Sequence, residues 1–149
     1  MKEKDQYYEQ IEHEVVLLLR RADFKKTLDG VANTMDRSSY LLLGLLEKKG
    51  PLTVGEISEL FKLDNSTISR QISTLHKKEL AIRYSDKEDA RISMVEITEK
   101  GRKELQSAKQ YRLEAYTELL EDWTENELQV FSRLLTRLNR SIEKRKKLR

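Results

Sequence analysis

The 149-residue chain contains no cysteine, which removes disulfide bonds, thiolate nucleophiles and cysteine redox sensing from consideration. Its two histidines, His13 and His76, lie far apart in sequence, so we expect no zinc site of the usual histidine and cysteine type. A glycine-rich phosphate loop and a nucleophile with a partnered base are missing as well. We therefore expect a protein that is not an enzyme and that holds no metal and no cofactor.

Long apolar runs are also missing. The longest, Tyr40–Leu46, is far too short to span a bilayer, and the charged N-terminus leads into no signal-peptide core. We expect a soluble, cytoplasmic protein with no membrane partner. Hydrophobic residues make up 38% of the chain and charged residues 37%, with one proline and five glycines. This profile favours long helices with solvated faces, and a partner subunit that helps to bury apolar surface.

The spacing of apolar residues and the helix-capping signals predict a largely helical chain. An amphipathic helix is expected from residue 7 to about residue 28, because apolar residues recur there at intervals of four, three and four. These residues are Ile11, Val15, Leu18 and Ala22. Asp36 is the expected N-cap of a second helix, and Gly50 ends it.

A helix-turn-helix followed by a β-hairpin is predicted in the middle of the chain. Thr53 begins a capping box of the S/T-x-x-E type and so starts a short third helix. Asp64 is the expected N-cap of a fourth helix, which runs to about Lys78 after a three-residue turn. Residues 80–84 and 92–97 are rich in strand-forming side chains, so they predict the hairpin.

Two further helices complete the predicted chain. Thr98 is the expected N-cap of a long helix that runs to about Leu120, and a second capping box at residues 124–127 opens the last helix. The predicted fold is mainly α with a small β-hairpin wing. It is a winged helix-turn-helix flanked by helical extensions.

The fourth predicted helix has the two faces that a helix reading the DNA major groove requires. At about 100° per residue, Ile68, Ile72 and Leu75 cluster within about 60° on an apolar face. Hydroxyls and cations occupy the opposite face, and the free amides of the helix N-terminus favour a phosphate. The residues expected to contact DNA in this motif are Thr53, Asn65, Ser66, Thr67, Ser69, Arg70, Ser73, Thr74 and Lys77. An ordinary solvated face is the alternative for this helix taken alone.

The charged tip of the hairpin supplies three further candidates for DNA contact. Arg91 suits the narrow minor groove, where a negative potential favours a planar cation, and Lys87 adds a second cation. Asp89 cannot meet a phosphate favourably, so its expected role is to pair with Arg91 and hold the shape of the loop. A solvated turn without a role in DNA binding is the alternative.

These residues resemble the multiple antibiotic resistance regulator (MarR) family. The resemblance rests on Asp86-x-x-Asp89-x-Arg91 followed by Ile97-Thr98-Glu99-Lys100-Gly101, and on the helix-turn-helix segments 52–58 and 66–72. It implies a homodimer whose recognition helices enter the major groove of double-stranded DNA and whose wings enter the minor groove. It further implies a repressor of a pseudo-palindromic operator, released by a small aromatic or anionic effector.

One position departs from this family. The family usually has glycine after the recognition helix, where this chain has Glu79. If the backbone there is left-handed, a residue other than glycine costs about 1 kcal/mol.

The last predicted helix carries a heptad seam that favours dimerisation with the first helix across a two-fold axis. The residues expected at the dimer interface are Ile11, Val15, Leu18, Leu128, Phe131, Leu135, Leu138 and Ile142. Packing of the last helix within its own subunit is the alternative. We assign residues 1–35 to an N-terminal dimerisation helix, 36–100 to the DNA-binding lobe and 101–149 to C-terminal dimerisation helices.

The C-terminus from Arg137 onward has seven cations and one anion. The cations are Arg137, Arg140, Lys144, Arg145, Lys146, Lys147 and Arg149. We expect a solvated, frayed tail, with contact to phosphate or to neighbouring helices as the alternative. Two other functions also remain open on the same fold: a winged-helix module that binds protein, and a transcriptional activator.

Overall fold

The computed structural model describes residues 2–21 and 35–147, with side chains as far as Arg145. It confirms the predicted mainly helical fold with a small hairpin wing. In chain order the described elements are α1 (Glu3–Arg21), α2 (Arg37–Lys49), β1 (Leu52–Thr53), α3 (Val54–Phe61), α4 (Asn65–Lys77), β2 (Ala81–Ser85), β3 (Ser93–Ile97), α5 (Glu99–Leu119) and α6 (Glu125–Lys147). The chain divides into two compact units, one ending at Ala115 and the other beginning at Tyr116.

Side-chain caps set where several helices begin, as predicted. The Asp36 carboxylate accepts a hydrogen bond of 2.7 Å from the backbone amide three residues later. Thr53 and Glu56 form a reciprocal capping box, with N···O distances of 3.0 and 3.2 Å. Thr124 and Glu127 form another, at 3.2 and 2.9 Å. Each cap satisfies amides for which the first helical turn has no partner.

The hairpin belongs to a three-stranded antiparallel sheet in the order β1-β3-β2. β2 and β3 pair along their full length, beginning with Ala81 opposite Ile97. β1 pairs with the other side of β3, with Leu52 opposite Val95. The sequence pattern does not predict β1, because a strand of two residues has no periodicity to detect.

One apolar core holds α4 against the sheet. It is built from α2, α3, α4, the three strands and the first half of α5. Its buried members are Leu42, Leu43, Leu46, Leu52, Ile57, Ile68, Ile72, Leu75, Leu80, Ala81, Val95, Ile97 and Leu105. Burying one such leucine or isoleucine contributes about 1.5–3 kcal/mol, so the core fixes the position of α4.

The terminal helices differ from their predicted bounds. α1 begins at Glu3 and contains no buried residue; its predicted continuation to residue 28, with Ala22, lies outside the described residues. α6 continues to Lys147, and the side chains of residues 137–145 are exposed, so this stretch is solvated as expected and is helical. The physical reason is that α6 has a capping box at its start and contains neither glycine nor proline.

Two kinds of feature are missing from the described part of the chain. None of its helices combines the length and apolarity needed to cross a membrane. No three histidine, aspartate or glutamate side chains within it group together as metal ligands would.

Candidate nucleic-acid interface

The face of α4 opposite the core is the centre of the candidate site. Ile68, Ile72 and Leu75 are at most 1% exposed, which confirms the predicted apolar face. Because residues of a helix turn by about 100° each, the opposite face meets solvent. Its exposed residues are Ser66, Arg70, Ser73, Thr74 and Lys77, and Asn65 is exposed at the helix N-terminus. Thr67 and Ser69 lie at the flanks of this face and are half-buried.

Arg70 is the long cation in the middle of this face. Its Nη2 donates a hydrogen bond of 3.3 Å to the Thr67 hydroxyl. The Thr74 hydroxyl donates one of 3.1 Å to the Arg70 carbonyl oxygen. One long side-chain contact engages only part of the five-donor guanidinium fork. The remaining donors have the geometry that suits guanine or a phosphate group.

The N-terminus of α4 is occupied by the carboxylate of Asp64. This carboxylate accepts hydrogen bonds from the Ser66 hydroxyl at 2.6 Å and from the Thr67 amide at 2.7 Å. The hydrogen bond from Ser66, followed by those from Thr67, lowers the pKa of Asp64 from 3.8 to about 2. The ionised Asp64 carboxylate therefore accepts the hydrogen bond of a backbone amide that we expected to bind a phosphate. Its negative charge also repels a phosphate at the N-terminus of α4.

The first helix of the motif places Thr53 at its own start. The Thr53 hydroxyl accepts a hydrogen bond from the Glu56 amide, which leaves the hydroxyl proton for another acceptor. Lys62 is the C-cap of α3 and has a left-handed backbone, with φ of 56°. Residues 62–64 then join α3 to α4, so the predicted three-residue turn is confirmed.

The loop between β2 and β3 holds Arg91 through Asp89. The Asp89 carboxylate accepts hydrogen bonds from Nε of Arg91 at 3.1 Å, from its Nη2 at 3.2 Å and from its backbone amide at 3.0 Å. The hydrogen bonds from the Arg91 side chain, followed by the one from its backbone amide, hold the pKa of Asp89 below its ordinary value. The predicted pairing is confirmed, yet the Arg91 side chain remains 91% exposed. Lys87 is exposed in the same loop.

The start of α5 fastens the end of α4 to the sheet. The Thr98 hydroxyl donates a hydrogen bond of 2.7 Å to the Glu79 carbonyl oxygen. The Thr98 amide donates one of 3.0 Å to the carbonyl oxygen of Leu80. A Cβ at Gly101 would collide with that same carbonyl group, so only glycine permits this close approach.

Glu79 adopts a backbone conformation that favours glycine. Its φ of 64° is left-handed, which costs a residue with a Cβ about 1 kcal/mol. Lys100 Nζ lies 3.9 Å from Oε2 of Glu79 and donates a hydrogen bond of 3.1 Å to the Lys78 carbonyl oxygen. Hydrogen bonds from Thr98 and Lys100 to this turn therefore stabilise a left-handed conformation that is unfavourable for glutamate.

Arg83 is a wing cation that the sequence pattern does not single out. Its Nε donates a hydrogen bond of 2.6 Å to the Ser93 hydroxyl on the neighbouring strand, and the side chain is exposed. A single arginine within a strand has no spacing signal. The strand register, which sets Arg83 opposite Val95, is what reveals the contact.

The residues expected at a dimer interface are largely exposed in the single chain. On α6 the exposed fractions run from 38% for Leu128 to 50% for Ile142. The other seam residues are Phe131, Leu135 and Leu138. On α1, Ile11 and Leu18 are more than half exposed and Val15 is half-buried.

Known proteins share this fold. A family model described as the MarR family matches residues 35–93, from the residue before the α2 cap to the first residue of β3. The chain is 42% identical over 134 residues to YxaD of Bacillus subtilis, an uncharacterized HTH-type transcriptional regulator, covering 90% of this chain and 94% of that protein.

Two solved structures share this fold. A MarR family protein from Bacillus stearothermophilus matches with a TM-score of 0.71 and 21% identity, over 96% of this chain and 99% of that one. A mutant MarR from E. coli, complexed with operator DNA, matches with a TM-score of 0.69 and 17% identity, over 89% and 96%. At these identities the structural match shows a shared fold.

Proposed function

Because the chain belongs to the MarR family of transcriptional regulators, which have a DNA-binding fold, we propose that it is a homodimeric repressor that binds a pseudo-palindromic operator. The observation that supports this most is the exposed face of α4, which carries hydroxyls and cations, together with a wing arginine held by a carboxylate. Such a face fits base edges and phosphates, whereas a protein-binding module would present an acidic or apolar face.

In this proposal α4 lies in the major groove and Arg70 reads a base. The surrounding contacts come from Thr53, Asn65, Ser66, Thr67, Ser69, Ser73, Thr74 and Lys77. Arg91 and Lys87 contact the adjacent minor groove, and Asp89 acts as a positioning residue. Arg83 joins them as a cation facing the DNA backbone.

The dimer is proposed to bury the apolar residues that α1 and α6 expose. Leu128, Phe131, Leu135, Leu138 and Ile142 recur at intervals of three and four, the pattern of a helix that packs along a seam. Ile11, Val15 and Leu18 follow the same spacing on α1. Residues 1–35 and 101–149 then form the dimerisation region and residues 36–100 the DNA-binding lobe. Two-fold symmetry sets the operator half-sites about 10 base pairs apart.

We propose a small aromatic or anionic effector as the releasing signal. In support, the Arg112 guanidinium lies 4.0 Å from the centroid of the Tyr40 ring, so a cation and an aromatic ring meet between α5 and α2. Aromatic carboxylates are the first compounds to test, because they are both aromatic and anionic. A compound that acts as an effector will lower the affinity of the protein for its operator.

The experiment that tests this function is fluorescence anisotropy with DNA from upstream of the protein's own gene and a scrambled duplex, each at two salt concentrations. We expect tight binding to the upstream DNA that weakens steeply with salt, because phosphate contacts release counterions. No binding to either duplex at low salt would overturn the proposal in favour of a protein partner. A reporter gene fused to the regulated promoter distinguishes a repressor from an activator. Deleting a repressor raises expression of the reporter, and deleting an activator lowers it.

A further inference from the structure

The side of α6 away from the apolar seam carries a row of cations, which we call the cationic stripe: Arg133, Arg137, Arg140 and Lys144. These residues recur at intervals of four, three and four. At about 100° per residue they fall within about 60° of one another and roughly opposite the centre of the seam. The four side chains share one face because the chain remains helical as far as Lys147.

The cationic stripe has no charge partner within the part of the chain that the structure describes. No ion pair joins its members to a described carboxylate, and Glu143 is the single acidic residue in α6 after Glu127. The nearby hydroxyls of Ser132, Thr136 and Ser141 donate to helix carbonyl oxygens at 3.0, 2.7 and 3.0 Å. The arginines are therefore the donors that an incoming group would meet.

An open groove lies beside the three arginines of the stripe. Its volume is about 360 Å³, and it is lined by Ser132, Arg133, Thr136, Arg137 and Arg140. Like charges at i and i+4 on a helix repel each other, so a row of this kind carries an energetic cost in the free chain. An anionic partner that spans several turns removes that cost.

We propose that the cationic stripe binds the phosphate backbone of double-stranded DNA, in addition to the contacts made by α4 and the wing. At 1.5 Å per residue the stripe is about 16 Å long, enough to meet several phosphates along a duplex. Guanidinium forks suit phosphate oxygens, and three of the four members are arginines. Contacts of this kind add affinity without reading sequence.

The residues beside the stripe favour duplex DNA over other polyanions. The neighbouring positions Gln129, Thr136 and Ser141 are polar. A helix that lies in a membrane surface buries its apolar face in the lipid. In α6 that face is the seam, which a second subunit covers in the proposed function on which this inference rests. Binding of single-stranded nucleic acid relies on aromatic side chains for base stacking, and the stripe has none.

The test compares the wild type with the triple variant Arg133→Gln, Arg137→Gln, Arg140→Gln. The control variant Lys4→Gln, Lys48→Gln, Lys103→Gln removes the same charge from exposed positions on α1, α2 and α5. Anisotropy with a 40-base-pair duplex of random sequence gives the dissociation constant from about 50 to 200 mM salt. Circular dichroism and gel filtration check that both variants keep the fold and assembly of the wild type.

We expect the triple variant to bind more weakly at low salt and to lose about 3 units of the salt slope per chain, at about 0.9 per phosphate contact. The wild type would then lose about 40-fold more affinity per chain than the variant over this salt range. The control variant is expected to keep the wild-type slope. If the triple variant is poorly folded, Arg137→Gln alone is expected to lower the slope by about 1.

An unchanged slope in the triple variant overturns the proposal. Wild-type binding to phosphatidylserine vesicles that the triple variant lacks, with equal DNA slopes, overturns it in favour of a membrane surface. Failure of the function proposed for α4 and the wing has a different signature. It would appear as loss of preference for the operator over random DNA, which the stripe does not affect.

Discussion

Asp89 holds Arg91 at two places, the backbone amide and one edge of the guanidinium group, with N···O distances from 3.0 to 3.2 Å. The guanidinium group is thereby oriented in the free protein, although the Arg91 side chain is 91% exposed. A side chain ordered in advance loses less conformational entropy on binding.

Arg91→Ala is expected to weaken operator binding by about 10-fold or more while the dimer stays intact. Asp89→Asn is expected to have a smaller effect in the same direction, because the arginine keeps its charge but loses its ionic partner. Anisotropy titration measures both variants. Glu88→Gln, a change of charge in the same loop, is the control and is not expected to weaken binding. Wild-type affinity for Arg91→Ala would show that the wing does not contact DNA.

Arg70→Ala is expected to cost about 1–3 kcal/mol of binding free energy on the operator and less on random DNA, because the guanidinium fork reads a base. Arg70→Lys keeps the charge without the fork, so it is expected to retain non-specific affinity and lose selectivity. The measurement is the ratio of dissociation constants for the two duplexes. An equal loss on both sequences would assign Arg70 to a phosphate.

Glu79→Gly is expected to raise the free energy of unfolding by up to about 1 kcal/mol, because φ of 64° is unstrained for glycine. Lys78→Gly is the matched control. Lys78 has φ of –86°, so glycine there relieves no strain and is expected to lower stability by about 0.5–1 kcal/mol. Urea denaturation followed by circular dichroism measures both. Destabilisation of equal size in the two variants would contradict the role assigned to the left-handed turn.

The cap of α4 is expected to depend on pH. Folding lowers the pKa of Asp64 from 3.8 to about 2, chiefly through the hydrogen bond from Ser66. The unfolded chain therefore binds a proton more readily, so the stabilisation is present above pH 3.8 and is lost as the pH falls towards about 2. Asp64→Asn keeps an acceptor but does not titrate. The stability difference between wild type and Asp64→Asn is expected to shrink across this window; a constant difference would refute the assignment.

Charged residues in the α6 seam are expected to release monomers. Leu135→Glu with Leu138→Glu places two carboxylates among apolar residues that a second subunit would cover. Sedimentation or light scattering reports the mass, and operator binding should be lost with the dimer. Gln129→Glu with Ser141→Glu is the control for the mass measurement alone, because these positions lie outside the seam but beside the cationic stripe. A double seam variant that stays dimeric would show that α6 does not form the interface.

Much of this fold follows from residues close together in sequence. The caps at Asp36 and Thr53 join residues three positions apart, and Asp89 meets Arg91 two positions away. Apolar spacing placed Ile68 and Ile72 on the buried face of α4. Interactions of this range depend on helix or turn geometry alone, so the pattern of residues was enough to predict them.

Other features depend on residues that are distant in the chain. β1 is a strand because Leu52 pairs with Val95, and Glu79 keeps a left-handed turn because Thr98, nineteen residues later, donates to its carbonyl oxygen. The need for glycine at position 101 arises from the approach of α5 to Leu80. Local propensity contains no information on such contacts, since they form only when the core has brought distant segments together.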